Sequence, residues 1–170
     1  MGFLKKLLPP IDINRGHFSS YMIKAQNYEH IRLYKREKPR PETVNITPRW
    51  ISKLNDDEIF VFGCRRSGRH YEGAANFARE NFGAIVGQGE GLQGQSYAIP
   101  TAGVGLGWIR HAVNRFTEFA AANPNLKFLV TPVGCGLGLW DFDDIAPLFR
   151  TASKLPNVWL PEEFWNELYK

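Results

Sequence analysis

The chain has 170 residues, of which 44% are hydrophobic and 22% charged, an ordinary globular composition that excludes wholesale disorder. No apolar run approaches the roughly 20 residues that cross a bilayer, and the opening MGFLKKLLPP lacks the pattern of a signal peptide, so we expect a cytoplasmic protein that does not enter the membrane. Two cysteines, Cys64 and Cys135, are too few for a disulfide framework.

The net charge of +4 is unevenly distributed along the chain. Residues 1–54 carry 11 Lys and Arg against 4 Asp and Glu, whereas residues 55–170 carry 10 against 13. A basic segment of this kind can bind nucleic acid or an acidic partner, or can be a solvated face. The pattern predicts a basic N-terminal extension over residues 1–46, partly helical, and a single domain over residues 47–170.

Hydrophobic periodicity predicts alternating strands and helices after residue 57. Helices are predicted over residues 21–37, 47–54, 71–82, 108–122, 141–152 and 161–169. Strands are predicted over residues 58–62, 96–100, 127–133 and 157–160. This alternation predicts a largely parallel sheet covered by helices on both faces, and ligands of such sheets bind at the carboxyl ends of the strands.

Glycine is concentrated at those predicted strand ends, because 14 of the 16 glycines lie between Gly63 and Gly138. The first cluster, FGCRRSGRHYEGAA, leads from a strand into a helix whose unpaired N–H groups can hold an anion. Its arginines and His70 add positive charge and hydrogen-bond donors. The cluster GCGLGL follows another strand and has the permissive backbone that wraps a phosphate. Both loops therefore predict phosphate recognition.

The cluster GQGEGLQGQ has the GxGxxG spacing of a dinucleotide fingerprint. It leads into a predicted strand instead of a helix, so we reject the Rossmann interpretation. Two alternatives stay open, a mobile loop that covers the ligand and a plain surface loop.

Candidate catalytic groups are few. Cys64 and Cys135 lie in loops that should converge, so either is a candidate nucleophile with His70 as a candidate base. Small buried cysteines under a glycine loop are the alternative. The four histidines lack metal-ligand spacing, so no metal site is expected, and no Walker A sequence is present.

Four long stretches carry a resemblance: IFVFGCRRSGRHYEGAA, FGAIVGQGEGLQGQSYAIPT, FLVTPVGCGLGLWDFDDIAPLF and NVWLPEEFW. They resemble a family of uncharacterised bacterial and phage-associated proteins with a macro-domain-like fold, over most of residues 47–165. Macro domains bind ADP-ribose or related NAD-derived nucleotides, and some hydrolyse ADP-ribosyl bonds or terminal phosphates. The resemblance therefore implies a three-layer α/β/α fold with a mixed, largely parallel sheet, ligand loops at Gly63–Ala75 and Val133–Gly138, a nucleotide ligand and no required cofactor.

The chain departs from macro domains in four respects. Arg65 stands where a ribose-contacting asparagine is expected. Gly138 stands where the branch that removes ADP-ribose from carboxylates has an aspartate, and the first loop has no lysine nucleophile. The aspartate that contacts adenine in other macro domains has no clear counterpart.

Binding of ADP-ribose or a related nucleotide is the leading hypothesis, and its hydrolysis stays open. The alternatives are a cysteine-dependent hydrolase and a nucleic-acid-binding module that uses the basic extension. The sequence leaves the oligomeric state open. The candidate ligand-binding residues are Phe62, Gly63, Cys64, Arg65, Gly73, Ala74, Ala75, Thr101, Val133, Gly134, Cys135, Gly136, Leu137 and Gly138.

Overall fold

A computed structural model of the chain describes residues 40–136 and 140–170. The chain is divided into two units after Lys38, and the description below concerns the second, compact unit, Pro39–Lys170. The helix predicted over residues 21–37 lies outside the described residues, as do the candidate residues Leu137 and Gly138.

The second unit has an α/β fold, as the sequence predicts. Its strands are β1 (Glu58–Arg65), β2 (Gly91–Gln93), β3 (Ser96–Ala102), β4 (Lys127–Val130) and β5 (Val158–Trp159). Its helices are α1 (Gly73–Asn81), α2 (Leu106–Ala122), α3 (Phe142–Ile145) and α4 (Glu162–Leu168), with 3₁₀ turns at Ala146–Phe149 and Ala152–Lys154. The strand order is β2-β3-β1-β4-β5, and β2 alone runs antiparallel to its neighbour within this sheet.

Side chains of the central strand β1 alternate between two hydrophobic clusters, one on each face of the sheet. Phe60 and Phe62 pack with α1, whereas Ile59 and Val61 pack with α2 and α4. Successive side chains of a strand point to opposite faces, so both faces must be covered by helices to bury them. This packing produces the three layers that the alternating pattern predicts. Among the described residues, no helix combines the length and apolar character that a membrane crossing requires.

The helix predicted over residues 47–54 is wrong. No helix forms over these residues, and the chain at their start pairs with Leu160 instead: Ile46 forms a parallel bridge with Leu160, and the Thr47 N–H donates to the Leu160 carbonyl at 2.9 Å. Pairing with the end of β5 satisfies backbone groups that a helix would otherwise satisfy internally. Tertiary pairing therefore overrides the local Thr-Pro signal.

The helix predicted over residues 141–152 is too long. Asp141 is the N-cap residue of α3, and its N–H donates to the Asp144 carboxylate at 3.3 Å. Helix α3 then ends at Ile145 and continues as a 3₁₀ turn that contains Pro147. Proline has no N–H to donate and its ring crowds the preceding turn, so the regular α-helix cannot continue through it.

Candidate functional site

The carboxyl ends of β1, β3 and the segment after β4 meet at Gly63, Thr101 and Gly134. A Cβ atom on Gly63 would lie 2.7 Å from the Thr101 Oγ1 and 3.0 Å from the Gly134 nitrogen. Gly134 has a φ of +79°, a left-handed conformation that side chains other than glycine rarely adopt. Glycine is therefore required for the close approach of these strand ends.

A cavity of about 570 Å³ opens directly above this junction, and we call it the polar cavity. It is lined by Gly63, Cys64, Arg65, Arg69, Tyr71, Glu72, Gly73, Ala74, Ala75, Thr101, Ala102, Thr131, Pro132, Val133, Gly134 and Gly136. Its size falls in the range of small-molecule sites, roughly 300–1,000 Å³. Its position at the strand ends is the one expected for a parallel sheet.

The polar cavity is built to receive negative charge. Gly73, Ala74 and Ala75 are the first residues of α1, so their N–H groups have no acceptor within that helix. Arg65 and Arg69 also line the cavity, and Glu72 is the one acidic residue among the lining residues. Helix dipole and guanidinium groups thus act in the same direction, and both favour an anion.

A second cavity of about 970 Å³, here called the apolar groove, lies beside the first and shares lining residues with it. It is lined by Ile46, Thr47, Pro48, Arg49, Trp50, Ile51, Ser52, Phe60, Gly73, Ala74, Phe77, Asn81, Val130, Thr131, Pro132, Pro161, Glu162 and Glu163. Four residues line both spaces: Gly73, Ala74, Thr131 and Pro132. Trp50 is 87% exposed at the groove, which leaves its indole face open to a ligand.

The cluster GQGEGLQGQ supports the first loop from outside the cavities. A Cβ atom on Gly89 would lie 2.1 Å from the Arg66 carbonyl oxygen. A Cβ atom on Gly68 would lie 2.4 Å from the Gln88 nitrogen. The Cys64 thiol also donates to the Gly89 carbonyl at 3.1 Å. The expected ligand-covering role is wrong in this structure, because none of residues 85–94 lines either cavity. The segment holds the first loop in place instead.

His70 also helps to hold the first loop in place. Its side chain is fully buried, stands edge-on to Phe62 at 5.2 Å between ring centroids, and its Nε2 lies 2.9 Å from the Gln88 carbonyl oxygen. It does not line either cavity. His70 therefore contributes to the packing of the loop and is not placed to contact a ligand in these spaces.

The two thiols pack into different hydrophobic clusters. Cys64 lies in the cluster beside α1, whereas Cys135 packs against the cluster on the other face. Burial, together with the nearby Glu90, raises the pKa of the Cys64 thiol to about 12. Burial also raises the pKa of the Cys135 thiol to about 12, with smaller effects of the carboxylates of Asp141 and Asp144. Neither environment stabilises a thiolate nucleophile.

We expect both cysteines to react slowly with iodoacetamide in the folded protein. A pKa near 12 instead of 9 leaves about a thousandfold less thiolate at pH 6–7, and the thiolate is the reacting form. At pH values below the pKa, the labelling rate should rise about tenfold for each unit by which the pH is increased. Mass spectrometry of labelled protein measures it, and the same chain in denaturant is the control. Rapid labelling at pH 6 would restore the cysteine-dependent mechanism.

Trp140 directly follows the glycine cluster GCGLGL and is hydrogen-bonded to the strand ends. Its indole N–H donates to the Thr101 carbonyl at 3.2 Å, and its backbone N–H donates to the Gly134 carbonyl at 3.4 Å. The three carboxylates that follow, of Asp141, Asp143 and Asp144, are exposed and occupy the start of α3, where they interact favourably with its dipole. The loop is thus tied to the strand junction beneath the polar cavity.

The structure brings most of the candidate ligand-binding residues to one cavity. Those that line it are Gly63, Cys64, Arg65, Gly73, Ala74, Ala75, Thr101, Val133, Gly134 and Gly136. Phe62 is buried in the core, and Cys135 does not line the cavity. Tyr71 and Glu72 also line the cavity but were not predicted as ligand-binding residues. Their position just before the start of α1 could have indicated this role. The groove was not predicted either, since residues 47–54 were assigned to a helix.

Comparisons of the chain with protein-family models, with curated proteins and with solved structures give no match. A function must therefore be argued from the two connected cavities and the groups that line them.

Proposed function

We propose that the protein binds ADP-ribose or a closely related NAD-derived nucleotide. The observation that carries the proposal is that an anion-binding cavity and an apolar groove adjoin and share four lining residues. A nucleotide has the same division, with negative phosphates joined to a planar base. The two spaces together can receive both parts of one ligand.

The diphosphate fits the polar cavity. The N–H groups at the start of α1 and the backbone of Gly134 and Gly136 face the same space as the Arg65 and Arg69 side chains. Backbone N–H groups at a helix start bind phosphate without sequence-specific contacts, and a guanidinium group can donate two parallel hydrogen bonds to it. Phosphate oxygens would thus be bound from both sides.

The base fits the apolar groove. Trp50 offers an exposed indole face, and Ile51 and Phe77 supply further apolar surface. Stacking of a base on an aromatic ring contributes about 1–3 kcal/mol. Because the groove shares Gly73 and Ala74 with the polar cavity, the small side chains at the start of α1 leave room for the link between base and phosphates.

The resemblance to macro-domain-like proteins supports the same ligand class. It implies ligand loops at residues 63–75 and 133–138, and residues of both loops line the polar cavity, although Arg66, His70 and Cys135 do not. Arg65 differs from the expected asparagine, so we propose that its guanidinium binds an anionic group of the ligand in place of the usual ribose contact. Hydrolysis is not part of the proposal, because neither thiol nor His70 is placed as a base.

The division of the ligand between the two spaces is tested with Trp50→Ala. Trp50 is 87% exposed, so its removal should leave the fold intact. We expect calorimetric affinities for ADP-ribose and AMP to fall by about tenfold, because base stacking is lost. Affinity for ribose 5-phosphate should be unchanged, because that fragment occupies the polar cavity alone.

Trp108→Ala is the matched control, since Trp108 is 51% exposed and lines neither cavity. It should bind all three ligands as the unaltered protein does. Equal ADP-ribose affinity in Trp50→Ala and the unaltered protein would contradict placement of the base in the apolar groove.

A further inference from the structure

The first loop and the start of α2 carry an exposed aromatic and arginine-rich surface. We call it the arginine rim and define it as Arg65, Arg66, Arg69, Tyr71 and Trp108. The Arg66 guanidinium carbon lies 4.5 Å from the centre of the Trp108 ring. Tyr71 and Trp108 are 58% and 51% exposed, so two large aromatic rings face solvent beside three exposed arginines.

The positive charge of the rim is not neutralised by its surroundings. Among the described residues, no carboxylate forms a salt bridge with Arg65, Arg66 or Arg69. The carboxylate of Glu90 is already bound by Arg115, whose Nε and Nη2 donate to it at 2.6 and 3.0 Å. The rim therefore keeps a positive field that attracts an extended anion.

We propose that the arginine rim binds single-stranded nucleic acid. Arginines bind the phosphates of a strand, and exposed aromatic rings stack on its unpaired bases. Trp108, with Arg66 over its ring, provides such a stacking platform, and Tyr71 provides a second ring. A duplex is excluded as the preferred form because its bases are stacked on each other and cannot cover these rings.

The surface overlaps the nucleotide site at Arg65, Arg69 and Tyr71, which also line the polar cavity, and is separate from it at Arg66 and Trp108. Arg66 and Trp108 line neither cavity, whereas Trp50 and Gly136 line the cavities and do not belong to the rim. The inference goes beyond the proposed function and does not require it. It also differs from binding by the basic extension, because residues 65–71 and 108 lie within the domain.

Fluorescence polarisation with fluorescein-labelled oligothymidylate and oligouridylate of about 15 nucleotides tests the proposal on the full chain. We expect Arg66→Ala/Trp108→Ala to weaken binding of the strand by tenfold or more. Loss of the arginine should also lower the salt slope by about one unit. The single variant Trp108→Phe should retain most of the affinity for the strand, since phenylalanine keeps an aromatic face. A duplex of the same length should bind less tightly than the single strand.

Trp50→Ala is the control and should bind the strand like the unaltered protein, because Trp50 lines the apolar groove, which contains no rim residue. It separates the two proposals, because it weakens nucleotide binding alone. Arg66→Glu provides a second test at an exposed side chain if the double variant does not fold. Strand affinity that is unchanged by rim substitutions, or no strand binding at all, would overturn the proposal whatever the result with ADP-ribose.

Discussion

We expect the Gly136→Trp variant to bind ADP-ribose at least about a hundredfold more weakly than the unaltered protein, and to stay folded. Gly136 lines the polar cavity, and a Cβ atom there would meet no atom within 4 Å. A large side chain therefore has room to enter the space assigned to the ligand. Calorimetry measures the affinity, and the thermal unfolding midpoint shows whether the fold is retained.

Gly107→Trp is the matched control for that substitution. Gly107 is also exposed, also has open space around its Cβ position, and lines neither cavity. It should bind ADP-ribose normally. Gly136→Ala should have an intermediate or small effect, because a methyl group occupies little of the cavity. Retention of full affinity in a folded Gly136→Trp protein would refute the assignment of the polar cavity.

Gly89→Ala is expected to destabilise the domain by about 3 kcal/mol, which corresponds to a fall of about 10 °C in the unfolding midpoint. A Cβ atom on Gly89 would lie 2.1 Å from the Arg66 carbonyl oxygen and 2.6 Å from its carbon. Both contacts are with backbone, so no flexible side chain can move away. The two loops would have to separate, which would disrupt the support of the ligand loop.

Chemical denaturation compares Gly89→Ala with Gly107→Ala. Gly107 lies in α2 with nothing near its Cβ position, so alanine should be neutral or stabilise by up to about 1 kcal/mol through helix propensity. Gly89 has an ordinary φ, so steric overlap alone produces the expected loss. Equal stability of the two variants would show that the loops do not pack as described.

The main strands and the sheet topology could be predicted because their signals are local and strong. The apolar run of β1 and the amphipathic face of α2 dictate their own structure, and alternation then implies a parallel sheet. The convergence of Gly63, Thr101 and Gly134 followed from that topology, since parallel strands end at one edge. Most candidate residues of the polar cavity were found in this way.

Features that depend on pairing between distant segments could not be predicted. Residues 45–47 pair with Leu160, directly after β5, in place of the expected helix, and the residues that follow line the apolar groove. The short antiparallel strand β2 was hidden within a glycine-rich stretch that resembles a loop. The burial of His70 depends on its contact with Phe62 and Gln88, and no local pattern distinguishes it from an exposed candidate base.

The central claim is that the polar cavity and the apolar groove together bind one nucleotide. Calorimetric titration of the unaltered full chain with ADP-ribose, alongside AMP and ribose 5-phosphate, tests it most directly. We predict one-to-one binding of ADP-ribose at about 1–10 μM, tighter than either fragment, because only the whole ligand fills both spaces. Absence of heat with ADP-ribose at about millimolar concentration, or equal affinity for a fragment, would contradict the claim.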